Sequence, residues 1–166
     1  LNLDSEEEGV FTVSCAGGAR VDCVLPAGRT EIPAGSVLYG VTVSGLQGGH
    51  SGVDIDKGRG SSNQLIGRFL YEAFSEGAFG LCALAGGKLD NVIPGETEAT
   101  VAVPAERAER FCALAAEYDA IYRDEYRTAD PGVRLTVREI GREAAEIAPN
   151  GMLTEADTEK VLLTLL

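Results

Sequence analysis

At 166 residues the chain is most simply one domain, and a domain of this size buries roughly 68–70% of its unfolded surface without needing staples. Fourteen basic residues against 26 acidic ones give a net charge of −12, which repels phosphate backbones and anionic lipid and argues against nucleic acid or a membrane surface as a partner. No run approaches the ~18 apolar residues of a membrane span, and no charged-then-apolar leader opens the chain.

The chain opens with Leu1-Asn2-Leu3-Asp4, which reads as the end of a strand, followed by the acidic run Glu6-Glu7-Glu8. An acidic run at a strand end is usually a solvated loop, and its carboxylates bind metal only with further ligands from elsewhere. Val10 to Cys15 alternates and is β-branched, which predicts a strand. Arg20 to Leu25 is its expected hairpin partner across Ala16-Gly17-Gly18. Val37 to Ser44 is the next strand, with Val37, Tyr39, Val41 and Val43 on one face. Ser61 with Gln64 three residues on matches a capping box, and Leu65, Ile66, Phe69, Leu70, Ala73 and Phe74 form an apolar helical stripe ended by Gly77. Phe79 to Ala85 and Glu96 to Val103 read as strands, the second with Thr97, Ala99, Val101 and Val103 on one face. A second helix is expected over Ala105 to Tyr126, lined by Ala108, Phe111, Cys112, Ala115, Tyr118 and Tyr122. Val133 to Ile140 is a strand, Ala148-Pro149-Asn150-Gly151 a loop, and Thr154 caps a last helix from Glu155 to Leu166.

From Val37 onward the order is β-α-β-β-α-β. This predicts an α+β, ferredoxin-like antiparallel sheet with both helices on one face, plus the N-terminal hairpin and the C-terminal helix. Cys15, Cys23, Cys82 and Cys112 form no Cys-x-x-Cys pair, and each lies in an apolar context. They read as buried free thiols of a reducing cytoplasm, with a Cys15–Cys23 disulfide as the lesser alternative.

The stretch from Val43 to Gly60 holds the single histidine of the chain, His50, among closely spaced glycines directly after a strand. Glycine permits positive φ and close backbone approach, so such a loop can present one side chain into a cleft. A lone histidine defines no site by itself. Gly58-Arg59-Gly60 before a helix invites a phosphate-loop reading, but the spacing then meets Asn63 and no Gly-Lys-Ser/Thr follows. Loop geometry is the simpler account.

The residues Gly45-Leu46, Gly48-Gly49-His50-Ser51-Gly52, Asp54-Ile55 and Lys57-Gly58-Arg59-Gly60 closely resemble the lid domain of the zinc aminoacyl-histidine dipeptidases, the carnosinase-like peptidase D group. Those enzymes belong to the co-catalytic metallopeptidase clan of aminoacylase and glutamate carboxypeptidase. Leu1 to Gly9 and Asn91-Val92-Ile93-Pro94 agree as well, in the family's order. The resemblance implies that His50 donates a hydrogen bond to the oxyanion of the tetrahedral intermediate. It implies that the Asn91 amide contacts substrate, and that Asp4 is a ligand of a zinc pair. It further implies residues 1–8 as the end of a catalytic-domain strand and linker, 9–166 as an incomplete lid or dimerisation domain, a dipeptide substrate and a homodimer, while the missing leader and the scattered thiols carry the expectation of a cytoplasmic location. The clan's carboxylate-binding arginine would fall at Pro104, so that residue is expected beyond Leu166.

Co-catalytic zinc hydrolysis needs several histidines and carboxylates, and one histidine cannot supply them. The chain alone is therefore expected to be inactive. The rival expectation is a ferredoxin-like module that binds a small ligand or pairs with itself without catalysis.

Overall fold

The computed structural model describes residues 8–11, 13–14, 17–77, 79–141 and 150–166. The predicted strand end at Leu1–Asp4, the candidate ligand Asp4, Cys15, and Ala148 and Pro149 of the last predicted loop lie outside the described residues.

Four strands make the main sheet: β1 (Ser36–Ser44), β2 (Gly80–Gly86), β3 (Thr97–Pro104) and β4 (Arg134–Ile140). Among the described residues three α-helices accompany them: α1 (Ser62–Ser75), α2 (Ala108–Glu125) and α3 (Glu155–Leu163). The strand order is β2-β3-β1-β4, antiparallel throughout, with Val41 facing Ala99 on one side and Val137 on the other. This is the ferredoxin-like α+β arrangement expected from the order of elements. A bulge between Leu81 and Ala83 leaves Cys82 without a partner in β3.

Alternation along the strands decides which face is buried. Tyr39, Val41 and Val43 of β1 and Ala99, Val101 and Val103 of β3 join Leu65, Ile66, Phe69 and Leu70 of α1 and Phe111, Leu114 and Ala115 of α2 in one core. On the other face Leu38, Cys82 and Ala102 make a smaller cluster with Ile32, Ile140 and Met152. The Tyr122 hydroxyl donates to the Leu65 carbonyl at 2.6 Å, and burial pushes that phenol up, so it serves as a fixed donor. Arg68 of α1 forks onto Glu125 of α2 at 2.7 and 2.9 Å, which ties the two helices at the surface.

Four details of the sequence reading are corrected. No described residue between Val10 and Leu25 is in a strand, so the expected N-terminal hairpin is not formed there. Phe11, Val13, Val21 and Val24 are exposed; alternation makes a strand only where a surface exists to bury one face, and a lone hairpin is marginal in water. Ser61 occupies the N-cap of α1 with extended backbone, yet its side chain makes no capping bond. Instead the Ser62 amide donates to Pro94 O at 2.9 Å, and the Ser62 hydroxyl meets that of Thr97 at 2.7 Å, which fastens the helix start to β3. Cys23 and Cys112 are exposed and only Cys82 of the described thiols is buried. In α2 the buried stripe runs Phe111, Leu114, Ala115, Tyr122, and Cys112 stands one residue off it. The last helix ends at Leu163 rather than at Leu166.

Among the described residues two short bridges lie outside the main sheet. Arg29–Thr30 pairs with Met152–Leu153, and Gly49–His50 pairs with Val92–Ile93. Beside the first, Thr154 caps α3 and Asp157 accepts from Lys160, the Gly28 amide and the Thr154 hydroxyl, each at 2.8 Å. Lys160 first, then the Gly28 amide and Thr154, hold the Asp157 carboxyl down at about 2. An unfolded aspartate titrates at ~3.9, so this contribution to stability is complete above that pH and is lost as pH falls through the folded value. A carboxyl-carbon NMR titration of Asp157 is expected to give a midpoint at about 2. A midpoint near ~4 would show that the cap does not form.

Candidate functional site

The loop between β1 and α1 is closed at its base by backbone packing. Gly45 has φ +79°, and a Cβ there would collide with the Gly132 carbonyl, so chain and loop cross where no side chain fits. Asp130, which follows α2, is fully buried. Its two carboxylate oxygens accept the Gln47 and Gly60 amides, each at 2.7 Å, and so grip both ends of the loop. Gln47 also donates its side-chain amide to Ala129 O.

Above this base the loop bridges to Val92–Ile93 and turns tightly through residues 50–54. Ser51 N–H donates to Asn91 O at 2.9 Å. Asp54 N–H donates to His50 O at 2.9 Å, while the Asp54 carboxylate accepts the His50 amide at 2.7 Å. The hydrogen bond from Lys57, then that amide, with Arg59 adding attraction, hold the Asp54 carboxyl below the usual range. Gly49 is required beside it, because a Cβ there would strike both the Asp54 carboxylate and the Arg59 guanidinium.

The imidazole of His50 is constrained as well. Its Nδ1 accepts from the Gly52 amide at 3.0 Å and the Val53 amide at 3.2 Å. With Nδ1 committed as an acceptor, the proton of the neutral ring sits on Nε2. His50 is exposed, and Nε2 makes no hydrogen bond among the described residues. The loop thus presents one N–H donor, suited to an oxygen that gains negative charge.

The structure brings two of the three residues singled out in the sequence to one place. His50 pairs directly with Val92, so Asn91 stands beside the histidine loop with an exposed side chain. Asp4 lies outside the described residues. The amides that a phosphate would need are already occupied, since Gly60 N–H serves Asp130 and Ser62 N–H serves Pro94. Among the described residues no three His, Cys, Asp or Glu side chains gather to hold a metal, and no helix is long and apolar enough to cross a membrane.

Sequence reasoning missed Asp130 and gave Asp54 no role. Asp130 had no local signal, because the amides it accepts belong to Gln47 and Gly60, 83 and 70 residues away in sequence. Asp54 had none beyond its position in the glycine stretch.

Residues 41–130, more than half of the chain, match the peptidase dimerisation domain model of the M20 peptidases. The chain is 33% identical to the cytosol non-specific dipeptidase of Escherichia coli (strain K12), over 96% of this chain and 36% of that protein. The crystal structure of aminoacylhistidine dipeptidase from Vibrio alginolyticus superposes with a TM-score of 0.77 and 34% identity, over 85% of this chain and 28% of that one. The chain thus spans about a third of the length of these relatives. By family match, identity and shared fold, it belongs to the M20 peptidase dimerisation domains, as a homologue of the cytosol non-specific and aminoacylhistidine dipeptidases.

Proposed function

We propose that this chain is the lid and dimerisation domain of a metallodipeptidase that cleaves dipeptides of the Xaa-His type. In this reading residues 1–8 lead out of the catalytic domain, and 9–166 form most of the lid. His50 donates its Nε2–H to the carbonyl oxygen of the scissile bond as that oxygen gains negative charge. A donor aimed in advance at developing charge stabilises the transition state more than the ground state. Asn91, next to His50 across the bridge, holds the substrate backbone or its terminal carboxylate through its amide. The observation that carries the reading is the pair of amides on Nδ1, which leaves Nε2 as the donor.

Zinc is the cofactor this reading implies, and when bound it would activate the attacking water. The described residues gather no set of ligands for it, so no step through the metal is assigned to them. Asp4 is proposed as one ligand on the resemblance of its motif alone. A homodimer is supported by the family's description, and a cytoplasmic location by the name of the Escherichia coli relative.

The test is hydrolysis of Xaa-His and other dipeptides by the full-length protein with added zinc, beside the 166-residue chain alone. Cleavage by the full-length protein and none by the chain is the expected result. A full-length protein that hydrolyses none of them would overturn the reading and favour a ligand-binding module.

A further inference from the structure

We propose that Asp54 is a positioning residue for His50, holding the Nε2–H donor in place through the His50 main chain; this rests on the oxyanion reading above. Its carboxylate accepts the His50 amide at 2.7 Å, and its own amide returns a bond to His50 O at 2.9 Å. The turn from 50 to 54 is therefore closed at both ends. Inside it the Gly52 and Val53 amides converge on Nδ1. Ring and backbone make one unit, and the imidazole cannot turn without giving up bonds that the closed turn supports.

The carboxylate is itself held from two sides. Lys57 pairs with Oδ1, and the Arg59 guanidinium lies 3.6 Å from Oδ2. Arg59 is fixed in turn by donating to Gly48 O. An asparagine would keep one acceptor for His50 but would turn an NH₂ toward one of these cations. No other side-chain oxygen among the described residues accepts the His50 amide.

A purely architectural role predicts something different. The bridge to Val92–Ile93 and the grip of Asp130 already fix the loop to the domain. Asp54 adds no apolar burial: its side chain, 17% exposed, is covered by Lys57, Arg59 and the turn itself. Its removal should spare the fold and change where the ring points. A misplacement of about 1 Å in a catalytic constellation can cost ~10²-fold in rate.

The experiment compares Asp54→Ala, Asp54→Asn and Asp56→Asn in the full-length protein, each with and without His50→Ala. Asp56 is an exposed acidic neighbour whose side chain makes no hydrogen bond among the described residues, so it controls for loss of charge. Asp54→Ala is expected to lower kcat by about 10–100-fold with little change in KM, and Asp54→Asn by less. Asp56→Asn should resemble the parent, and Asp54→Ala should add nothing once His50 is gone. His50 is the one histidine of the chain, so its ring nitrogens give one pair of ¹⁵N signals in the 166-residue protein. Those signals should report the Nε2–H tautomer in the parent chain and shift toward a tautomer mixture in Asp54→Ala. Asp54→Ala behaving like Asp56→Asn, or lowering kcat equally with and without His50, would overturn the proposal. If His50→Ala leaves kcat unchanged, the oxyanion reading falls by itself. The ring spectrum then decides the positioning role: a shift in Asp54→Ala upholds it, and an unchanged spectrum overturns it.

Discussion

Replacing His50 by alanine in the full-length protein is expected to lower kcat on dipeptides by about 10²–10³, the cost of deleting one oxyanion donor, or ~2.7–4 kcal/mol of barrier. KM should change little. The Nε2–H of His50 would meet full negative charge only in the transition state, so its loss weakens catalysis more than binding. His50 is exposed and contributes nothing to the core, so the variant should melt like its parent. Steady-state kinetics on purified, zinc-loaded protein check this. A variant as active as the parent would remove His50 from the chemistry. A raised KM with an unchanged kcat would make it a substrate-binding residue instead.

Asp130→Ala should produce the largest loss of stability among the loop's residues. Its carboxylate is fully buried and makes no salt bridge among the described residues, so its desolvation is offset by the Gln47 and Gly60 amides that it accepts. Truncation removes this acceptor from both amides at the base of the loop. The Gly60 amide is buried and costs about 1–3 kcal/mol without a partner, whereas Gln47 is exposed and can turn to water, so the variant should lose about 1–3 kcal/mol. Asp130→Asn keeps one good acceptor and points its NH₂ at the other amide, so it should lose less than the alanine variant. Urea unfolding of the 166-residue chain measures both. Stability within ~0.5 kcal/mol of the parent for Asp130→Ala would mean that water replaces the carboxylate without cost.

The fold was legible where burial has a simple period. The two-residue alternation of β1 and β3 and the apolar stripe of α1 name the residues that form the core, and the order of elements names the sheet topology. The N-terminal segment misled because alternation speaks only of a chain that has a surface to cover, and Val10 to Leu25 has none among the described residues. Cys112 misled because a helical stripe read from sequence is uncertain by one residue, which is 100° of rotation and moves a side chain from core to solvent. In the proposed site, the motif pointed to His50, and the bridge at Val92 sets Asn91 beside it. Asp130 stayed hidden because it acts on amides some seventy to eighty residues away, a long-range pairing that no local pattern encodes. The capping box at Ser61 failed for the same reason, since β3 offered the helix start better partners than its own first turn.

The bridge of Arg29–Thr30 with Met152–Leu153 has an architectural consequence. The segments on either side of the four strands and first two helices meet here, tied by the Gly28, Thr154 and Asp157 contacts. From this meeting point α3 runs back over α1 and buries Leu162 in the core, so the bridge fastens the C-terminal helix to the body of the domain. Anything that loosens the bridge should unseat α3 with it, which couples the two flanks of the fold.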